Sequence, residues 1–118
     1  MLTITGNGRV TRKPTIRTTG SGKRVTTVSV ASDRRNRDDE PIYVDLILWE
    51  AQAEAAVEHL VKGQAVAFSG RPDTRAYTAS NGEPAAVLEV HGVVLEYGAK
   101  PRRYGDQDQQ SAAAVLAA

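Results

Sequence analysis

Tyr43 and Trp49 stand six residues apart in IYVDLILW, residues 42–49, where the side chains alternate between the two sides of an extended chain. Successive strand residues point to opposite faces, so Ile42, Val44, Leu46 and Leu48 share an aliphatic face and Tyr43, Asp45, Ile47 and Trp49 share the other. Exposed aromatic rings offer flat π surfaces, the chemistry of base stacking. Buried rings would instead cover a second core layer or a subunit interface. The charge distribution favours the first use. Residues 1–37 carry nine Lys or Arg against one acid, Asp33, whereas residues 38–118 carry six bases and thirteen acids. A formal net charge of +1 hides this asymmetry, and a basic segment accompanying aromatics is the pattern of a polyanion-facing surface.

No catalytic constellation competes with that reading. GSGKR at 20–24 is close to a phosphate-binding loop, but the full pattern needs Gly at 17 and Ser or Thr at 24, where Arg17 and Arg24 stand. GNGRVT at 6–11 lacks the third glycine of a dinucleotide turn. The chain has no cysteine, which removes disulfides, thiolate nucleophiles and cysteine-based zinc sites. His59 and His91 have no metal-ligand spacing, so no metal and no cofactor is expected. Asp38 and Asp39 lie in a charged loop without an apolar pocket to raise a carboxyl pKa. The expectation is a binding protein and not an enzyme.

The elements that must position Tyr43 and Trp49 read as strands around one helix. With 118 residues the chain forms one domain and a short tail. Residues 2–9 read as a first strand with Gly6 and Gly8 at a bulge or bend. Residues 15–19 and 23–32 form a hairpin about Gly20, Ser21 and Gly22, and the polar run 34–40 is a loop. After the Tyr43/Trp49 strand, residues 51–62 have helical spacing through Ala53, Val57, Leu60 and Val61, and Gly63 falls where a left-handed cap is expected. Residues 64–70 make the next strand, and 73–79 and 84–96 flank the turn Ser80, Asn81, Gly82. One helix between the third and fourth of five strands is the order of the OB-fold, an all-β five-stranded Greek-key barrel. No leader-like or long apolar run is present in MLTITGNGRV or elsewhere, so the expected location is cytoplasmic.

Six segments in register extend this reading: SGKRVTTVSVAS (21–32), YVDLILW (43–49), EHLVKG (58–63), VAFSG (66–70), TRAYT (74–78) and SNGE (80–83). Together they resemble the bacterial single-stranded DNA-binding protein family over about residues 2–98. The resemblance implies an OB barrel in residues 1–98, usually a homotetramer, that binds single-stranded DNA without sequence preference in replication, recombination and repair. By position, Tyr43, Trp49 and Tyr77 match stacking aromatics of the family, and Thr74 and Arg75 precede Tyr77 as they do there. Arg12, Lys13, Arg17, Lys23, Arg24, Arg34, Arg35, Arg37, Arg71 and Arg75 are candidate phosphate contacts.

Departures from the family pattern are specific. A further stacking tryptophan of many members aligns near Asn36, where Arg34, Arg35 and Arg37 offer guanidinium planes instead. Asp45 stands where a base is common, and Ala51 replaces a common lysine. The expected result is weaker binding, or a different site size, than in a typical replicative member. Residues 99–118 read as a short flexible tail ending AVLAA, without the family's acidic, Pro-Phe-terminated tip, so recruitment of other proteins is not carried over. The competing OB readings are an RNA-binding or accessory primosomal-type protein and a homo-oligomeric scaffold.

Overall fold

The computed structural model describes residues 1–36 and 38–101. In chain order the elements are β1 (Ile4–Val10), β2 (Ile16–Thr18), β3 (Arg24–Ser32), β4 (Tyr43–Trp49), α1 (Glu50–His59), β5 (Ala65–Thr78) and β6 (Pro84–Tyr97). The strands order as β1-β5-β6-β4-β3-β2, and an additional β1–β3 pairing closes five of them into a ring with β2 hung on β3. All pairings are antiparallel except β4 with β6. This is the expected OB barrel, its helix set between the third and fourth strands of the ring.

Alternation drives the closure. Val44, Leu46 and Leu48 point inward from β4 and meet Val28 and Val30 from β3, Val66 and Phe68 from β5, and Val90 and Val93 from β6. Ala53, Ala56 and Leu60 close one end of this core. Thr26 is fully buried with them, and its hydroxyl donates to Thr15 O at 2.6 Å, which satisfies the buried polar group. β1 is the strand that must touch two neighbours: Gly8 is the Cα partner of both Ser32 and Val66. A Cβ at Gly8 would lie 2.2 Å from Ala31 O, so glycine is required where the ring shuts.

Several expected boundaries shift. Ile42 lies before β4 and is 63% exposed, so it does not join the aliphatic face. Residues 64–70 and 73–79 are one strand, β5, with a register shift between Ser69 and Arg71. That bulge lets Pro72 sit inside a paired strand. The helix ends at His59, and Leu60 turns away in extended conformation with φ −84° and ψ 139°. Leu60 and Val61 are buried, as their apolar spacing predicts, but not as helix. Gly63, with φ +87°, is therefore not the helix cap. It turns the chain into β5, where its N–H donates to Val10 O at 2.7 Å and Gln64 N–H donates to Val61 O at 3.1 Å. The helix end is tied from outside instead: Lys13 Nζ donates to Val57 O, and to Leu60 O at 2.9 Å.

Backbone pairing continues past β6, with Gly98 N–H donating to Ala65 O and Ala65 N–H to Ala99 O. Most of the expected tail, residues 102–118, lies outside the described residues. Among the described residues no helix is long and apolar enough to cross a membrane.

Candidate nucleic-acid interface

β4 runs along the outside of the barrel between β3 and β6, and its outward residues alternate as the sequence predicts. Tyr43 is 58% exposed and Trp49 43%, with Asp45 half-buried and Ile47 buried between them. Six residues of strand separate the two rings by about 20 Å, so each presents its own face. Their β3 partners are Ala31 for Tyr43, Ser29 for Asp45 and Val25 for Trp49.

Tyr77, 46% exposed, sits on the β5–β6 arm opposite Ala85. β4 and β6 are parallel partners at Asp45 and Glu89, and Glu89 is in turn the partner of Asp73. Counting along the strands from this shared level places Tyr77 beyond the Tyr43 end of β4, on the same outward phase as Asp73 and Arg75. All three aromatics thus point outward from the barrel wall.

The cations divide by what already holds them. Arg17 pairs with Val25, which pairs with Trp49, so Arg17 lies in line with Trp49 across three strands. Lys23 is exposed at the same end. Near Tyr43, the residues Arg9, Arg34 and Arg35 line an open depression of about 640 Å³ with Asn36 and Pro41. Arg34 Nη1 reaches Asp39 O at 3.5 Å. Arg71 lines a separate depression of about 460 Å³ with Met1, Leu2 and His91. Lys13 is engaged with the end of α1, and Arg24 Nε lies 2.6 Å from Glu54 Oε2. Both contacts compete with phosphate. Arg37 lies outside the described residues.

Asp45 has neighbours that its strand alone does not reveal. Burial raises its pKa, the Arg12 charge opposes that, Glu89 adds to it, and Arg75 opposes it. Glu89 accepts from Arg75 Nε at 2.8 Å on Oε2 and lies 3.1 Å from His91 Nε2 on Oε1. The hydrogen bond from Arg75 holds its pKa below the usual carboxylate range despite burial. In return the hydrogen bond to Glu89 raises the Arg75 pKa. Asp73, Glu89 and His91 also bring their ligand atoms within 4.8 Å of one another. Both Glu89 oxygens already have hydrogen-bond partners, Arg75 on Oε2 and His91 on Oε1. Sequence reasoning missed Glu89, although the hairpin contained the signal: pairing centred on Asn81 sets Asp73 opposite Glu89.

A ring of strands with one helix between its third and fourth strands, carrying three half-exposed aromatic rings on its outer surface, is the OB architecture. The particular family follows from comparison. The model of the single-strand binding protein family matches residues 1–97, and the chain belongs to that family. A single-stranded DNA-binding protein of Clostridium tetani is 38% identical over 87 residues, covering 70% of this chain and 60% of that protein. A single-stranded DNA-binding protein of Paenarthrobacter aurescens is 34% identical over 123 aligned positions, covering 93% of this chain and 72% of that protein. The chain therefore spans about 60% of the length of the first of these relatives. In three dimensions, the Plasmodium falciparum SSB solved in complex with ssDNA superposes with a TM-score of 0.64 at 23% identity, over 82% of this chain and 94% of that one. That likeness concerns the fold.

Proposed function

We propose that this protein binds single-stranded DNA without reading its sequence and protects it during replication, recombination or repair. The observation that supports the proposal is the exposure of Tyr43, Trp49 and Tyr77, three outward-pointing rings of the barrel. Every base has a π face, so stacking on these rings is indifferent to sequence, at about 1–3 kcal/mol per stacked base. Arg12, whose charge acts on Asp45, Arg17, in line with Trp49, Arg34 and Arg35, in the depression bordered by Ala31, and exposed Lys23 supply the phosphate-neutralising charge in this reading. Lys13, Arg24 and Arg71 contribute less, being held by the helix end, by Glu54 and in a separate depression. Duplex DNA hides its base faces in its own stack, so the surface selects single strands. The protein performs no bond-making step in this role.

Residues 1–98 form the binding domain and 99–118 the tail in this reading, and the protein works in the cytoplasm as a homo-oligomer, a tetramer by family. Exposed Leu2, Val94 and Tyr97 favour self-association. Light scattering tests the oligomer. Anisotropy of labelled oligo(dT), oligo(U) and duplex of equal length tests the ligand: tight binding of oligo(dT) that weakens with salt, and little binding of duplex, is expected. Preference for oligo(U) would replace DNA by RNA as the partner, and equal binding of duplex would remove the stacking mechanism.

A further inference from the structure

Arg75 is exposed on the aromatic side, yet its guanidinium is engaged twice. Its Nε donates to Glu89 Oε2 at 2.8 Å, and its Cζ lies 5.9 Å from the centroid of the Tyr77 ring. The first contact is to a fixed group: the Glu89 side chain is 14% exposed, and His91 Nε2 lies 3.1 Å from its other oxygen. The second is within cation–π range, and the Tyr77 ring remains 46% exposed. Tyr77 needs such a support more than Tyr43 or Trp49 does. β4 pairs with β6 only from Leu88 to Val90, so Tyr77, opposite Ala85, projects on a two-stranded arm without β4 beside it.

Building on the proposed single-stranded DNA binding, we infer that Glu89 and Arg75 are positioning residues for Tyr77. Glu89 anchors Arg75, and Arg75 covers one face of the Tyr77 ring and orients the other toward a base. Fixing the ring before binding removes part of the ordering cost that stacking would otherwise carry. Arg75 in this arrangement acts through Tyr77 and is not a phosphate contact, which separates it from the other arginines of the surface. A planar guanidinium suits both jobs, holding a carboxylate edge-on and a ring face-on. An ammonium does not.

The test is a double-mutant cycle on oligo(dT) affinity, read from Trp49 fluorescence at several salt concentrations, with Glu89→Gln and Arg75→Lys each made alone and with Tyr77→Ala. Each single substitution is expected to weaken binding about 2- to 5-fold, the range of an exposed cation–π contact. The slope of log affinity against log salt should stay unchanged, and the effect should vanish when Tyr77 is already Ala. If Arg75 contacts phosphate, Arg75→Lys will retain affinity and Glu89→Gln will tighten binding by releasing Arg75. Either result overturns the inference, as does an equal effect in both Tyr77 backgrounds. Thermal melts identify a variant that fails to fold, and Arg75→Lys then carries the test without Glu89→Gln. Failure of the unsubstituted protein to bind oligo(dT) would remove the proposed function itself, whereas binding with additive substitutions removes only the role of the pair.

Discussion

Replacing Asp45 by Asn should strengthen binding of single-stranded DNA. Asp45 stands two residues from Tyr43 and four from Trp49 on the outward side of β4, where a strand stacked on both rings must pass. A carboxylate about 7 Å from a phosphate repels it by about 0.6 kcal/mol in water and by about 2 kcal/mol at the effective dielectric of a protein surface. Arg12 and Arg75 already offset part of the Asp45 charge, so the lower half of that range applies, about 3- to 9-fold in affinity at low salt. The gain should shrink as salt screens the surface. Titration gives an internal check with a definite sign. The Asp45 pKa is raised in the folded protein, chiefly by burial, so the folded state holds this proton to higher pH than the unfolded state does. Stability contributed by the group is therefore lost as pH rises through that window, and Asp45→Asn should abolish the loss. In the unsubstituted protein, acidification through the raised pKa should mimic Asp45→Asn by tightening binding. Affinity and thermal stability measured across pH for both proteins test this directly. Unchanged or weaker binding by the Asn variant at low salt would refute the placement of Asp45 beside the bound strand.

Other parts of the account are exposed to test in the same way. Gly8→Ala should destabilise the barrel by about 3 kcal/mol or more, because its Cβ would meet Ala31 O at 2.2 Å where β1 closes the ring; a melt unchanged from the parent would contradict the closure. Lys13→Met should cost about 1 kcal/mol, roughly 4 °C in melting temperature, by freeing the carbonyls at the end of α1, with little effect on oligo(dT) affinity. Loss of affinity without loss of stability would return Lys13 to the phosphate contacts.

What could be read from the sequence was local. Alternation in β4 specified its inward residues Val44, Leu46 and Leu48 and left Tyr43 and Trp49 exposed on the other phase, although Ile47 between them is buried, which alternation alone does not indicate. The Asn81-Gly82 turn placed a hairpin correctly for the same local reason. The long β5 was split by Gly70 and Pro72, residues that ordinarily punctuate strands, and only pairing with β6 across the bulge makes them one element. The end of α1 was displaced because the forces that set it are distant in the chain: Lys13 ties the terminal carbonyls, and Gly63 bonds back to Val10. At the candidate site, the rings were legible as residue types and their company was not. Arg75, Glu89, His91 and Asp45 meet through two different strand pairings, one antiparallel and one parallel. Asp45, an unexplained acid on a basic surface when read in one dimension, lies in a balanced group of charges in three.

Trp49 is the sole tryptophan of the chain and is 43% exposed at one end of the proposed DNA path. Its intrinsic fluorescence therefore reports the central claim at one known position. Titration with oligo(dT) should quench that emission strongly and saturably, and duplex of the same length should quench it little. Saturable binding of oligo(dT) with Trp49 emission unchanged, or no binding up to high micromolar strand, would contradict base stacking on this face of the barrel.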